Sequence, residues 1–285
     1  MKTILITGVN SYIGSSFEEY LANFSNQYSI DSISLRTDEW KAKDFSKYDV
    51  ILHVAGIAHV STDPKMEELY YKVNRDLTIE VAKKAKDEGV SQFIFMSSII
   101  VYGDSAKNKN IIDANTVPVP SNFYGNSKLL AEEGLKPLNS DVFKVAMIRP
   151  PMIYGKHSKG NYPKLAKAAR RLPIFPNINN KRSMLHIDNL NEFIKLIIDN
   201  EESGLYFPQN EEYVNTSEMV SLIAKVHGKN IKLTNKFNPI LRIIGRKVGL
   251  IDKVFGDLVY EKDMSKYKEH YQIRNLRDSI ELTEK

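Results

Sequence analysis

The chain has 285 residues, 42% hydrophobic and 26% charged, enough for one large domain or a domain with a smaller appendage; with no cysteine, disulfides, thiolate metal sites and cysteine nucleophiles are excluded. A net charge of +5 and a pI near 9.0 admit either a nucleic-acid partner or a pocket for an anionic small molecule. The lysines are dispersed and no basic block is interleaved with aromatics, so a phosphorylated ligand accounts for the charge with less assumption and no nucleic acid is expected.

The N-terminal residues MKTILI run directly into a strand pattern, Thr3–Thr7, and carry no signal-peptide features. No apolar run approaches the length of a membrane span, so a soluble cytoplasmic protein is expected. The turn Thr7-Gly8-Val9-Asn10-Ser11-Tyr12-Ile13-Gly14 then opens a helix near Tyr12. Between a strand and a helix, such a turn lets the free N–H groups of the helix receive a pyrophosphate, which makes Gly8, Ser11, Tyr12, Ile13 and Gly14 candidate cofactor residues. The spacing is Gly-x-x-Gly-x-x-Gly with Ser11 in the middle place. A serine there costs close backbone approach, although its hydroxyl can itself reach a phosphate. An ordinary β–α turn is the competing reading, and the strand–turn–helix context favours the nucleotide.

A second strand is predicted over Ile30–Leu35. An acid at its end would bind the ribose 2′-hydroxyl of NAD, an arginine the 2′-phosphate of NADP. Asp31 stands at the beginning of the predicted strand and Arg36 at its end, so NADP(H) is preferred through Arg36 and NAD(H) stays possible; Arg36 also reads as a solvated loop charge. A third strand lies within Asp49–Val54, and a helix over Lys72–Glu88 follows from Val73, Leu77, Val81 and Ala85. A fourth strand, Phe93–Met96, leads to Ser97 and Ser98; a long helix covers Asn122–Leu135 and another strand Phe143–Ile148. This alternation specifies an α/β fold with a doubly wound parallel sheet of Rossmann type.

Tyr124 and Lys128 stand four residues apart, so phenol and ammonium leave the predicted helix on one face. A free tyrosine titrates near ~10 and carries protons poorly at neutral pH. A lysine one turn away favours the phenolate and moves that pKa toward the useful range. A serine then needs only to hold the substrate oxygen beside the phenol. These are the parts of a site that moves a proton at a carbonyl or carbinol oxygen while a hydride moves at its carbon. Tyr-x-x-x-Lys alone is weak; its weight comes from the phosphate turn and the serines upstream.

After Arg149-Pro150-Pro151 the texture changes. Residues 156–181 are rich in Pro, Asn, Lys and Gly, as expected of a segment that wraps a ligand rather than filling a core. Gly204–Pro208 reads as a strand returning to the main sheet. The stretch Asn238–Tyr260, apolar and basic by turns, reads as a membrane-surface or partner helix, or as a helix capping the smaller domain; the second is preferred in a chain without other membrane signals. The expected division is a dinucleotide-binding domain over 1–152, with a returning segment near 183–210, and a smaller C-terminal substrate-binding domain over 153–182 and 211–285. No internal repeat and no metal site is found.

Thr7–Gly14, Asp49–Gly56 (DVILHVAG), Phe95–Gly103 (FMSSIIVYG), Tyr124–Lys128 and Arg149–Gly155 (RPPMIYG) occur in the order seen in extended short-chain dehydrogenase/reductases acting on nucleotide-sugars, the NAD-dependent epimerase/dehydratase family. The chain resembles that family from residue 1 to about 210. The resemblance implies a catalytic set Ser98, Tyr124 and Lys128, with Lys128 also on the nicotinamide ribose. It implies that His53, Ala55 and Gly56 line the cofactor, with Ser97 and Pro150 among the same contacts. Asn74 matches a structural asparagine, and Asp44-Phe45 would meet the adenine.

Within the family, 4,6-dehydratases carry acids just after the serine; here Ile99 and Ile100 stand there, and an aliphatic side chain can transfer no proton. The 4-epimerases usually place an asparagine where Met152 stands. Arg182–Asp188 (RSMLHID) is similar to their phosphate-binding segment and Asn161 to a pocket asparagine, which puts Arg182 on the diphosphate, where a guanidinium fork suits phosphate oxygens. A surface charge is the alternative for Arg182. His157 sits near the place of an acid/base histidine of 3,5-epimerase/4-reductases, whose cysteine partner this chain lacks, so it remains a residue that binds or protonates a sugar. His186 is expected to be structural, and His59, His227 and His270 structural or superficial.

From RPPMIYG through Pro173–Ser183 (PIFPNINNKRS) the chain most resembles reductases of capsule and O-antigen pathways. The resemblance therefore implies NAD(P)H-dependent reduction of a UDP-4-keto-6-deoxy-N-acetylhexosamine to UDP-N-acetylfucosamine or UDP-N-acetylquinovosamine. It also implies a homodimer formed through the helices around Lys72–Glu88 and Asn122–Leu135. The alternatives are a UDP-sugar 4-epimerase with tightly held NAD and a non-catalytic dinucleotide sensor; the intact Ser98, Tyr124 and Lys128 count against the sensor.

Overall fold

Four consecutive buried residues, the apolar Ile4, Leu5 and Ile6 and the polar Thr7, can be satisfied only in a strand covered on both faces. In the computed structural model, which describes residues 1–57, 63–106, 111–236, 238 and 255–285, they form an inner strand of such a sheet. Its strands in chain order begin with β1 (Lys2–Thr7), β2 (Tyr28–Ile33), β3 (Val50–His53) and β4 (Gln92–Met96), followed by Lys144–Ile148 and Gly204–Tyr206. Spatially they run Gly204–Tyr206, Lys144–Ile148, β4, β3, β1, β2, and all pairs are parallel. The chain leaves β1 toward β2 on one side and returns past it to β3 on the other. The loops after β1 and β3 therefore diverge and open a crevice at the C-terminal edge, where ligands bind in doubly wound sheets.

The two faces of the sheet pack different helices. Ile4, Ile6, Leu52 and Ile94 bury against α1 (Tyr12–Leu21) and the helix Ile187–Asp199. Leu5, Ile51, Phe93 and Phe95 face the other layer. That layer contains one continuous helical run: α2 (Glu67–Tyr70), a π-helical turn over Tyr71–Asp76, and α3 (Leu77–Asp87); beside it lies α4 (Phe123–Leu135). The returning strand is found at Gly204–Tyr206, paired with Ala146–Ile148.

Two sequence expectations change. β2 begins at Tyr28 and ends at Ile33, two residues earlier than predicted, because Leu35 turns inward to pack with Trp40 and Phe45. Asp31 is thus mid-strand, not at its beginning. The segment 156–181 does not merely wrap: it contains a helix, Tyr162–Arg171, and a short strand, Ile174–Pro176. Tyr162, Leu165, Ala166 and Ala169 recur at helical spacing and bury against Tyr154, Met219, Val220 and Ile280 in a second core. The apolar and basic stretch of Asn238–Tyr260 falls mostly on residues 239–254, outside the described residues, as does His59. Among the described residues no helix is long and apolar enough to cross a membrane.

Candidate active site

The phosphate turn is shaped by close backbone approach. Gly8 has φ +102°, and a Cβ there would lie 3.0 Å from the Cα and N of Ala55 after β3. Only glycine lets the two loops pass. Ser11 caps α1, its Oγ accepting the Gly14 N–H at 3.2 Å, so the hydroxyl serves the helix. The amides of Tyr12 and Ile13, in the first turn of this ten-residue helix, have no carbonyl partner within it. A glycine cradle facing unpaired amides and the positive end of a helix dipole fits a pyrophosphate, and hence a dinucleotide. The Tyr12 hydroxyl is buried with no hydrogen-bond partner among the described residues, and a Cβ on Gly155 would come within 2.7 Å of it. Tyr12 thereby seats the turn against the loop that leads to the second core.

Beyond β3 the chain runs through Ala55 and Gly56. A Cβ on Gly56 would meet Asn74 Oδ1 at 2.9 Å and Lys128 Nζ at 3.3 Å, so the backbone skims the lysine. Asn74, fully buried in the π-helical turn, accepts the Ile57 N–H at 2.8 Å and donates to Ile57 O at 3.2 Å and Ser127 Oγ at 3.1 Å. Ser127 Oγ in turn donates to Tyr124 O. The extra residue of a π-turn aims Asn74 at both elements at once.

Helix α4 starts at a capping residue, Asn122, whose Oδ1 accepts the Gly125 N–H at 2.9 Å. A Cβ on Gly125 would lie 2.8 Å from Ile100 O, so this glycine brings the first turn against the Ser98–Ile100 loop. That approach brings the Tyr124 phenol close enough to Ser98 for the serine hydroxyl to favour its ionised form. Gly103, at φ +39°, is equally constrained, since a Cβ would overlap Val119 O and Ser121 N, just before α4.

Lys128 leaves the same face of α4 and donates to Met96 O at 2.9 Å, over the Phe95 ring. The expected lowering of the Tyr124 pKa is not found. Burial pushes the phenol up to about 12, against which the Ser98 hydrogen bond works only in part. Burial also pulls Lys128 down to about 8, with the Glu132 carboxylate opposing.

Four residues expected at the cofactor have other partners in the structure. Phe45 is wholly buried beside Trp40, and its N–H donates to Glu88 at the C-terminal end of α3. Asp44 is exposed, with its carboxylate accepting the N–H and hydroxyl of Ser46. Both sit at the N-terminal edge of the sheet, opposite the phosphate turn, and cannot meet an adenine there. His53 is fully buried, bonded to Thr7 Oγ1 at 2.8 Å and Thr78 Oγ1 at 3.0 Å and stacked on Phe93. Burial, with Lys128 adding to it, holds it down to about 3, a neutral core histidine. The Ser97 hydroxyl points away from the cofactor side and donates to Glu132.

Other candidates fall as follows. Pro150 is buried beside the site, its carbonyl accepting the Ile99 N–H at 2.9 Å. Arg36 is exposed in the loop after β2, while Asp31 is committed to Tyr48, Lys43 and Lys47. His157 is exposed at φ +62°, and Asn161 is half-buried at the start of Tyr162–Arg171 without capping it. Arg182 bridges Val214 and Leu258 through its backbone and donates from Nη1 to Gly256 O at 2.7 Å. His186 is buried as expected, and His227 pairs with Glu284.

Sequence reasoning missed Glu132 and Arg149. Glu132 is fully buried, one turn beyond Lys128, and pairs with Arg149 at 2.5 Å. The signal was available: an acid at i+4 from the lysine on an otherwise buried helix face.

Comparison with known proteins gives a consistent result. The NAD dependent epimerase/dehydratase family profile matches residues 4–207. A UDP-glucose 4-epimerase of Vibrio cholerae is 30% identical over 246 residues, 78% of this chain and 75% of that protein. An N-acetyl-alpha-D-glucosaminyl-diphospho-ditrans,octacis-undecaprenol 4-epimerase of Escherichia coli O157:H7 is 27% identical over 272 residues, covering 89% and 81%. Among solved structures, RMD from Pseudomonas aeruginosa complexed with NADPH superposes with a TM-score of 0.74 at 18% identity, covering 99% of this chain and 98% of that one.

Proposed function

The chain belongs to the NAD dependent epimerase/dehydratase family, and from that premise we propose that it uses NADPH to reduce the C4 ketone of a UDP-4-keto-6-deoxy-N-acetylhexosamine, giving UDP-N-acetylfucosamine or UDP-N-acetylquinovosamine. The observation that carries this reading is the packing of α4 on the Ser98–Ile100 loop, which sets the turn bearing Tyr124 against Ser98, with Lys128 on the same helix and the aliphatic Ile99 and Ile100 where a dehydratase would need acids. A phenol beside a serine hydroxyl suits the delivery of a proton to a ketone oxygen.

When bound, the reduced nicotinamide supplies the hydride. Ser98 donates to the ketone oxygen and Tyr124 releases its proton to the same oxygen as negative charge develops there. Lys128, anchored on Met96 O, keeps a positive charge on the Tyr124 face of α4 and stabilises the phenolate that is left. Ile99 and Ile100, with no proton to give or take, support reduction over dehydration.

On the cofactor side, Arg36 is the first charged residue after β2, which supports NADPH over NADH. Arg36→Ser is expected to raise KM for NADPH about tenfold and leave KM for NADH unchanged, as the loss of one phosphate contact predicts. Arg182, Asn161 and His157 take the diphosphate and sugar, and a homodimer forms through α3 and α4. The 30% identity to a 4-epimerase favours a second reading, redox-neutral epimerisation of a UDP-sugar with bound NAD.

Incubation with UDP-4-keto-6-deoxy-N-acetylglucosamine and either dinucleotide, followed by absorbance of the reduced nicotinamide and NMR of the product, separates the two. Stoichiometric NADPH consumption with a C4 alcohol is expected. Interconversion of UDP-N-acetylglucosamine and UDP-N-acetylgalactosamine without net consumption would overturn the first reading in favour of the second.

A further inference from the structure

Beneath the catalytic groups lies a buried polar cluster that no proton-transfer step uses. Glu132 Oε1 accepts from Ser97 Oγ and from Arg149 Nε at 2.9 Å; Oε2 accepts from Arg149 Nη2 at 2.5 Å. Arg149 Nη1 donates to Tyr102 OH at 2.8 Å, and Tyr260 OH donates to Arg149 O at 3.0 Å. Both oxygens of the carboxylate are hydrogen-bonded, and Glu132 has no exposed surface.

The arrangement is not random with respect to the site. Lys128 and Glu132, one turn apart on α4, grip consecutive residues at the end of β4: the Met96 carbonyl and the Ser97 hydroxyl. Ser98 is the next residue, and Tyr124 is the preceding turn of the same helix. A buried ion pair contributes little to stability by itself, since desolvation offsets its Coulomb attraction. Its value here is geometric, because a two-point grip fixes the register of strand end and helix that Ser98 and Tyr124 share. We propose that Glu132, held by Arg149, is a positioning residue of this active site, locking Ser98 in register with Tyr124 and supplying the negative charge that faces Lys128.

Among the described residues, the titratable groups that act on Lys128 are His53 from β3 and Glu132 from its own helix; Tyr124 stands one turn before it on α4, and the uncharged Asn74 lies beside it near Gly56. His53 is neutral, Tyr124 is protonated, and Arg149 lies behind Glu132. Glu132 is therefore the charge that keeps the buried ammonium from falling further, and Lys128 titrates near 8 with it in place. The activity arm of the test rests on the catalytic reading above; the titration arm does not.

The test is a pH titration of the Lys128 Cε resonance in lysine-labelled protein, assigned with Lys128→Arg. Glu132→Gln is expected to lower the midpoint by about one unit, the size of effect that an opposite charge one helical turn away supplies. Glu132→Asp keeps the charge and leaves the midpoint near wild type, while its shorter reach releases Ser97 and cuts turnover. If Glu132→Gln fails to fold because Arg149 is left unpaired, the Glu132→Gln/Arg149→Met double variant is titrated, and a smaller downward shift is expected because the repulsion from Arg149 is removed together with the attraction to Glu132. An unchanged midpoint in a folded variant overturns the inference. In the enzyme, the alkaline limb of kcat/KM moves down with the midpoint. Loss of turnover in Tyr124→Phe beside an unchanged Lys128 midpoint in Glu132→Gln would sink only this inference. Full turnover in Tyr124→Phe would sink the catalytic reading and leave the titration standing.

Discussion

On the sheet side of the crevice, Ser98, Tyr124 and Lys128 stand on a strand end and a helix gripped by Asn74, Ser127, Glu132 and Arg149, all buried. In the segments beyond the sheet, His157 sits in a turn at φ +62°, Asn161 at a helix start it does not cap, and Arg182 on isolated bridges to Val214 and Leu258. The first region surrounds its groups with buried, hydrogen-bonded residues on regular elements. The other holds its groups on connecting segments that a few substitutions could redirect. Under the proposed function the contrast corresponds to a division of labour in which chemistry needs fixed geometry and sugar selection needs adjustable contacts.

The largest effect that would test this contrast is Tyr124→Phe. It should lower kcat about a thousandfold, the range general acid catalysis supplies, with little change in KM and an unaltered circular dichroism spectrum. Wild-type turnover in that variant would mean that the rigid side is rigid for some other reason.

Acid should also act on the sheet side first. His53 titrates near 3 when folded and near ~6.5 when unfolded, so the unfolded chain binds more protons between those values. Stability contributed by the neutral ring is complete above about pH 6.5 and is lost as pH falls toward 3, by up to about 4 kcal/mol. Denaturant titrations across that window should show the decline, and His53→Gln, lacking the titrating ring, should flatten it.

A smaller and different change is expected across the crevice. Arg182→Gln should raise KM for the nucleotide-sugar roughly tenfold through a lost charge-assisted contact while kcat holds within a factor of two or so. A fall in kcat with KM unchanged would assign Arg182 to the chemistry and dissolve the distinction between the two sides.

How much was legible in the residues follows the same division. Tyr124 and Lys128 could be paired from spacing alone, since four residues on a helix always share a face. Gly8–Gly14 was readable because a strand, a turn and a helix follow one another within a dozen residues. His53 was misjudged since DVILHVAG is buried on both faces and its pattern cannot say which way the imidazole turns. Phe45 was misjudged because the chain between β2 and β3 crosses to the opposite edge of the sheet, which no local pattern records. Ser97 and Ser98 look alike in sequence, yet alternation in an extended chain sends one toward Glu132 and the other toward Tyr124.

The order of strands and helices, the phosphate turn, the catalytic helix and the absence of cysteine chemistry were determined by the sequence itself, because each depends on residues close together in the chain. The direction of the Tyr124 pKa, the burial of His53 and Phe45, and the Glu132–Arg149 pair were decided only by tertiary structure. Desolvation and buried charge depend on neighbours brought from distant segments, and their sum is defined only once the chain is packed.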